Sequence, residues 1–213
     1  SQIVPASKLA LLATLFGACI SPVPAAGDSE QLFLQGKSKV CANCLLERAA
    51  LKRRDLVGAD LAGARLTAAV FHRARLSGAL FTGADLSGAN LNKTDLKRAS
   101  LAGARLAGAL LYEADLSSAD LIGAELSKAK LHKARLVGAR LDRANLGQAI
   151  MTGARLDDAS LAGSDLRSVN LVGGLLRGAD LTGANLSGAG LIDAVLRDAK
   201  LRNANLLGAD LHG

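Results

Sequence analysis

The chain has 213 residues, a formal charge of +7, half of its residues hydrophobic and only 2% aromatic. With no Trp, one Tyr and three mutually remote His, it lacks both the stacking side chains of a single-strand nucleic-acid surface and the clustered groups of a catalytic site. No Gly-rich phosphate loop precedes a helix and no nucleophile elbow occurs, so neither an enzyme nor a cofactor is expected.

Residues 1–26 differ in kind from the rest. Lys8 is followed by an apolar run from Leu9 to Ile20 and then by Ser21-Pro-Val-Pro-Ala-Ala26. The run is too short to span a bilayer and reads as a secretory signal peptide, with Val23 and Ala25 as the small residues before a cleavage site. Phe16-Gly-Ala-Cys19 loosely resembles a bacterial lipobox, which would lipidate Cys19, although Phe at its first place is atypical. A buried N-terminal helix is the alternative, and the two prolines argue against it. Export would place the protein in the periplasm, outside the cell, on a lipid-anchored envelope site, or in the thylakoid lumen of a cyanobacterium.

Residues 27–45 form a second unit. Asp28 to Gly36 is expected to be a short helix, with Asp28 and Gln31 as a capping box and Leu32, Phe33 and Leu34 covering the end of whatever follows. Cys41-Ala-Asn-Cys44 then admits a structural, a redox or a metal reading. The absence of a second cysteine pair or a nearby His disfavours zinc, Leu45 stands where haem attachment needs His, and no βαβ pattern surrounds the motif.

From residue 46 to 213 the chain repeats every five residues. Of the 33 positions 51, 56 and so on to 211, thirty are Leu, and the others are Phe71, Phe81 and Met151. The residue two before each is Ala in 28 of 33 cases, Arg54, Thr94, Ser164, Val169 and Gly174 being the exceptions. The last residue of the unit is Gly in 17 of 33, as suits a corner that needs φ > 0. A period of five fits neither a helix nor a flat strand and marks a stacked repeat architecture. Extending the register backwards turns Cys41 and Cys44 inward, which favours structural cysteines, disulfide-bonded if the protein is exported.

The motif resembles the pentapeptide-repeat family over about four-fifths of the chain. The resemblance implies an all-β fold, a right-handed quadrilateral β-helix of four repeats per coil, capped by the short N-terminal helix. The central and small residues would point inward and the other three outward. At four to a coil, 33 repeats give about eight coils and, at a spacing of roughly 4.8 Å, a rod about 40 Å long. Exported members carry a similar helix and C-x-x-C before the first repeats. Arg54, at an inward place, is expected either to distort the first coil or to reach out of its open end.

Charge is uneven: residues 46–150 hold 17 basic and 10 acidic residues, and residues 151–213 hold 6 and 7. If residues twenty apart stack, one wall collects Lys52, Arg53, His72, Arg73, Lys93, Lys130, His132 and Lys133, interrupted by Glu113 beside Tyr112. This wall is either a basic stripe for an anionic partner or a solvated surface that happens to be basic. Two functions follow. The first is an exported, non-enzymatic scaffold that docks a protein or envelope partner. The second is a binding module for an anionic polymer or lipid surface. The family's DNA-mimicking gyrase modulators have acidic surfaces, and this chain departs from them; direct nucleic-acid binding is also disfavoured. Some family members pair through their C-terminal coils, which makes a homodimer through the C-terminal coil a further expectation.

Overall fold

The computed structural model describes residues 27–213; the signal-peptide and Cys19 readings lie outside them. Helix α1 spans Asp28–Leu34 and is capped by Gly27 rather than Asp28. Glu30 does the capping: one carboxylate oxygen accepts the Gly27 N–H at 2.8 Å, and the other accepts the Leu45 N–H at 3.2 Å, tying the helix to the repeats. Of the three apolar residues expected to cover the coil end, only Phe33 is buried, while Leu32 and Leu34 are 40% and 48% exposed. Neighbouring residues on a seven-residue helix cannot share one face, so a single side chain does the covering.

Beyond α1 every repeat makes one parallel bridge to the residue twenty further on, from Val40↔Asp60 to Gly190↔Asp210. Four repeats therefore close each coil of a β-solenoid. The ladder starts at Val40, so the Cys41–Cys44 segment belongs to the first coil and the boundary expected at residue 46 moves back. Both cysteines are buried, their Cα atoms 5.3 Å apart and their sulfurs at bonding distance.

The repeat 60–64 shows where its backbone donors go. The Asp60 N–H reaches the Lys39 carbonyl at 2.8 Å, and those of Leu61 and Gly63 reach Leu80 and Thr82 on the next coil at 2.8 and 2.9 Å. The Ala64 N–H closes the turn on Leu61 at 3.1 Å. The remaining donor, on Ala62, is taken by the Asp60 carboxylate at 3.1 Å. The same self-bond recurs from Asp85 to Ser87, Asp120 to Ile122 and Asn185 to Ser187, which explains why Asp and Asn favour the place before the central Leu. These acids stabilise the backbone and need no chemical role.

Every last-of-repeat residue from Asn43 to Gly213 has positive φ. Glycine suits that corner but does not monopolise it: Arg53, Arg73 and Lys133 hold φ of 58°, 58° and 54°. Coil closure and the ladder impose the left-handed conformation even where a side chain makes it cost about 1 kcal/mol.

Inside the tube, stacked Leu alternates with Ala, because two large inward residues per repeat would not fit. Phe71 and Phe81 meet across the interior edge-to-face, centroids 6.0 Å apart. The inward Thr94 and Ser164 donate their hydroxyls to the Leu91 and Leu161 carbonyls, each at 2.7 Å. Arg54 leaves the first coil undistorted. It rises over the open end and donates to the Leu34 and Phe33 carbonyls at 3.0 and 2.8 Å, its guanidinium lying over the Phe33 ring. A cation thus satisfies the bare carbonyl end of α1 and pins the cap.

Candidate functional site

The twenty-residue coil sorts the outward side chains into four walls. The first, over Leu51, Phe71, Leu91, Leu111 and Leu131, carries every residue expected in the basic stripe. The structure divides that stripe in two. Lys52, Arg53, His72 and Arg73 lie together near α1, and Lys130, His132 and Lys133 lie three coils beyond Arg73. Between them Lys93 is paired with Glu113 at 3.4 Å and sits over the Tyr112 ring, which itself stacks on His132 with the planes 7° apart. A hydrogen bond from the Tyr112 hydroxyl holds the Glu113 carboxyl below its usual range, with Lys93 adding to the effect.

Among the described residues Lys52, Arg53, Arg73, Lys130 and Lys133 form no ion pair. The charges near α1 are felt at His72, whose pKa is lowered by partial burial and by Arg73, Lys52, Arg53 and Lys93. Among the described residues, two further cations without an ion pair flank this wall and were not singled out from the sequence. Arg48 and Lys128 end repeats of the preceding wall, and the turn brings both to the corner of the basic wall. Their last-of-repeat position is the signal that could have found them.

The second wall, over Leu56, Leu76, Leu96, Leu116 and Leu136, is as densely charged but largely self-paired. Arg75 meets Asp55 at 3.2 Å, Lys97 and Arg135 meet Asp115 at 3.7 and 3.5 Å, and Arg177 meets Asp157 at 3.3 Å. Most of these pairs join residues twenty apart, one coil above the other.

The pentapeptide-repeats family matches residues 44–83, 79–117, 99–138, 109–148, 139–178 and 179–213. The chain belongs to this family. No curated protein matches the chain in sequence. Among solved structures it is similar to HetL, a pentapeptide-repeat protein involved in heterocyst differentiation regulation in the cyanobacterium Nostoc sp. strain PCC 7120. The two are 32% identical with a TM-score of 0.62, over 87% of this chain and 92% of HetL. Similarity also reaches the pentapeptide-repeat protein Rfr23 of the cyanobacterium Cyanothece 51142, at 33% identity and a TM-score of 0.37 over 43% of this chain and 58% of that one. A third match, the plasmid-mediated fluoroquinolone resistance protein QnrB1, is 20% identical with a TM-score of 0.48 over 82% and 84% of the two chains. Both scores are too low to carry an argument, and the likeness to HetL supports the β-helix solenoid. As a pentapeptide-repeat protein, the chain has a regular interior, so what distinguishes it is on its walls.

Proposed function

We propose that this pentapeptide-repeat protein is a non-enzymatic, exported scaffold that docks a protein or envelope partner on a rigid wall. The observation that carries this reading is the corner column of the first wall. There Arg53, Arg73, Lys93, Glu113 and Lys133 occupy left-handed positions in succession, where the fold alone would favour Gly. The corresponding corner of the third wall is Gly63, Gly83, Gly103 and Gly123. Charged side chains held in a conformation that costs energy are better explained by recognition than by folding. The signal-like residues 1–26 and the Cys41–Cys44 pair, disulfide-bonded in an oxidising compartment, support export. Intact-mass measurement on cell fractions tests it. A chain starting near Ala26 and lighter by the two hydrogens of one disulfide is expected, and an uncleaved, reduced chain in the cytosol would overturn export.

A second reading is favoured by the unpaired cations themselves. Lys52, Arg53, Arg73, Lys130 and Lys133 would bind an anionic polymer or lipid surface through Coulombic contacts. Such binding weakens steeply between low and physiological salt, whereas docking through shape and neutral hydrogen bonds does not. Titration at two salt concentrations separates the readings.

A further inference from the structure

On the fourth wall, over Leu126, Leu146 and Leu166, the residues just after each central Leu are Ser127, Gly147 and Arg167. Gly147 is the only glycine at that place in the 33 repeats. Its φ is not positive, so the backbone does not require it. A Cβ there would meet only the Asn145 Oδ1 at 3.2 Å and the Arg167 carbonyl at 3.9 Å. Gly147 lies in an open notch of about 360 Å³, lined also by Ser127, Lys128, Asn145, Gln148, Arg167 and Ser168.

Part of this lining is already committed. Arg167 is clasped by Asp165, and Asn145 accepts the Gly147 N–H at 3.0 Å while donating to Glu125 at 2.9 Å. The Lys128 ammonium, the Gln148 carboxamide and the Ser168 hydroxyl have no side-chain partner among the described residues. They stand in one column, one per coil, at left-handed corners with φ of 57°, 58° and 53°. Glycine occupies the same corner on the two coils before, at Gly88 and Gly108, and on the two after, at Gly188 and Gly208. Side chains thus replace glycine on the three coils that frame the notch, and Gly147 removes one from its centre.

From this coincidence we infer that the notch is a subsite for one uronate unit of an acidic polysaccharide. Its carboxylate would meet Lys128, and its hydroxyls would meet Gln148 and Ser168. One cation beside two neutral hydrogen-bonding groups suits a singly charged, hydroxyl-rich unit better than a phosphate. A planar bilayer resting on the first wall would not enter a notch on the fourth. The neighbouring Lys130 and Lys133 lie around the corner, where a longer chain would continue. The notch is open and at the small end of ligand pockets, so each unit binds weakly and affinity accumulates along the polymer. This inference deepens the anionic-polymer reading and rests on it.

The test titrates the full chain with galacturonate oligomers, with uncharged galactose oligomers of equal length as the control. Gly147→Gln, which fills the notch, and Lys128→Gln should each weaken galacturonate binding by about tenfold. Lys128→Gln should leave the thermal midpoint unchanged, and Gly147→Gln, whose Cβ presses on the Asn145 Oδ1, should lower it slightly. The galactose control should not bind. Absence of galacturonate binding by the unmodified protein, or unchanged binding by either variant, overturns the subsite. Loss only on charge reversal of Lys52, Arg53 and Arg73 also overturns it but leaves the basic-wall reading standing. Phosphatidylglycerol vesicles serve as a last arm. If they bind and Gly147→Gln weakens that binding while galacturonate does not bind, the site takes lipid headgroups and the sugar assignment is wrong.

Discussion

The first wall, over Leu51 to Leu131, and the second, over Leu56 to Leu136, rise from the same ladder and the same Leu–Ala interior. On the second wall opposite charges are stacked one coil apart, and Asp115 alone serves both Lys97 and Arg135. On the first wall the equivalent stacking sets cation above cation, Arg53 under Arg73, and Glu113 neutralises only Lys93. Exposed pairs of the kind on the second wall contribute about 0–1 kcal/mol each. The ladder, not the ion pairs, therefore holds the rod together, and a wall can keep its cations unpaired at little structural cost.

The largest effect should erase the difference between the walls. Leu111→Lys under the first and Leu116→Lys under the second each bury a charge in a tube one side chain wide. Both should lose about 5 kcal/mol or more and with it cooperative unfolding by circular dichroism. A folded variant of either would break the claim of a shared dry interior. Next, reversing Lys52, Arg53, Arg73 and Lys133 to Glu should reduce binding to anionic vesicles or polymers at least about tenfold at low salt while leaving the melting temperature in place. Reversing Arg75 and Arg135 on the second wall should do the opposite, sparing binding and costing stability by about 1–2 kcal/mol, since each Glu would face an Asp. Equal binding losses from both sets would mean that net charge, not the first wall, governs association.

Arg54→Ala should cost about 2 kcal/mol, concentrated at the N-terminal end, by leaving the Phe33 and Leu34 carbonyls without their charged donor. Faster amide exchange in α1, with the C-terminal coils unchanged, would be the signature. Asp115→Ala removes the acceptor of the Ser117 N–H and the two cross-coil pairs, and a loss of about 1 kcal/mol in denaturant unfolding is expected.

The smallest effects are in the titrations. The Val57 N–H, helped by Arg75 and Lys39, holds the Asp55 carboxyl below its usual range, and Thr182 does the same for Asp180. Folded-state pKa values below the unfolded ones give a stabilisation that is complete above the ordinary carboxylate range and is lost as pH falls through the depressed values. Stability should therefore begin to fall as pH enters the ordinary carboxylate range and level off only below the depressed values, which acid titration followed by circular dichroism would show. His72 acts in the same direction at higher pH: its lowered pKa means that the unfolded chain takes up the proton first, so stability falls as pH drops through the ordinary His range. Ring-proton NMR should show His72 titrating low, and Arg73→Glu should raise its pKa. No change would show that Arg73 contributes nothing to the potential of the first wall.

The period and its Leu–Ala pairs were legible in the sequence itself, because one turn is repeated without interruption. The stacking of residues twenty apart and the inward set, with it the Cys41–Cys44 orientation, were legible only through the resemblance to the pentapeptide-repeat family. The Asp and Asn places were legible as a pattern but not as a cause, since the bond from Asp60 to the Ala62 N–H appears only once the turn is built. The tertiary structure alone decided the fate of Arg54, whose partners are carbonyls about twenty residues away on α1. It also decided which cations remain free, because pairing depends on whether the coil above presents an acid within reach. A count of charges cannot contain that information. The notch at Gly147 is of the same kind, one missing side chain whose meaning depends on its neighbours in the coils on either side.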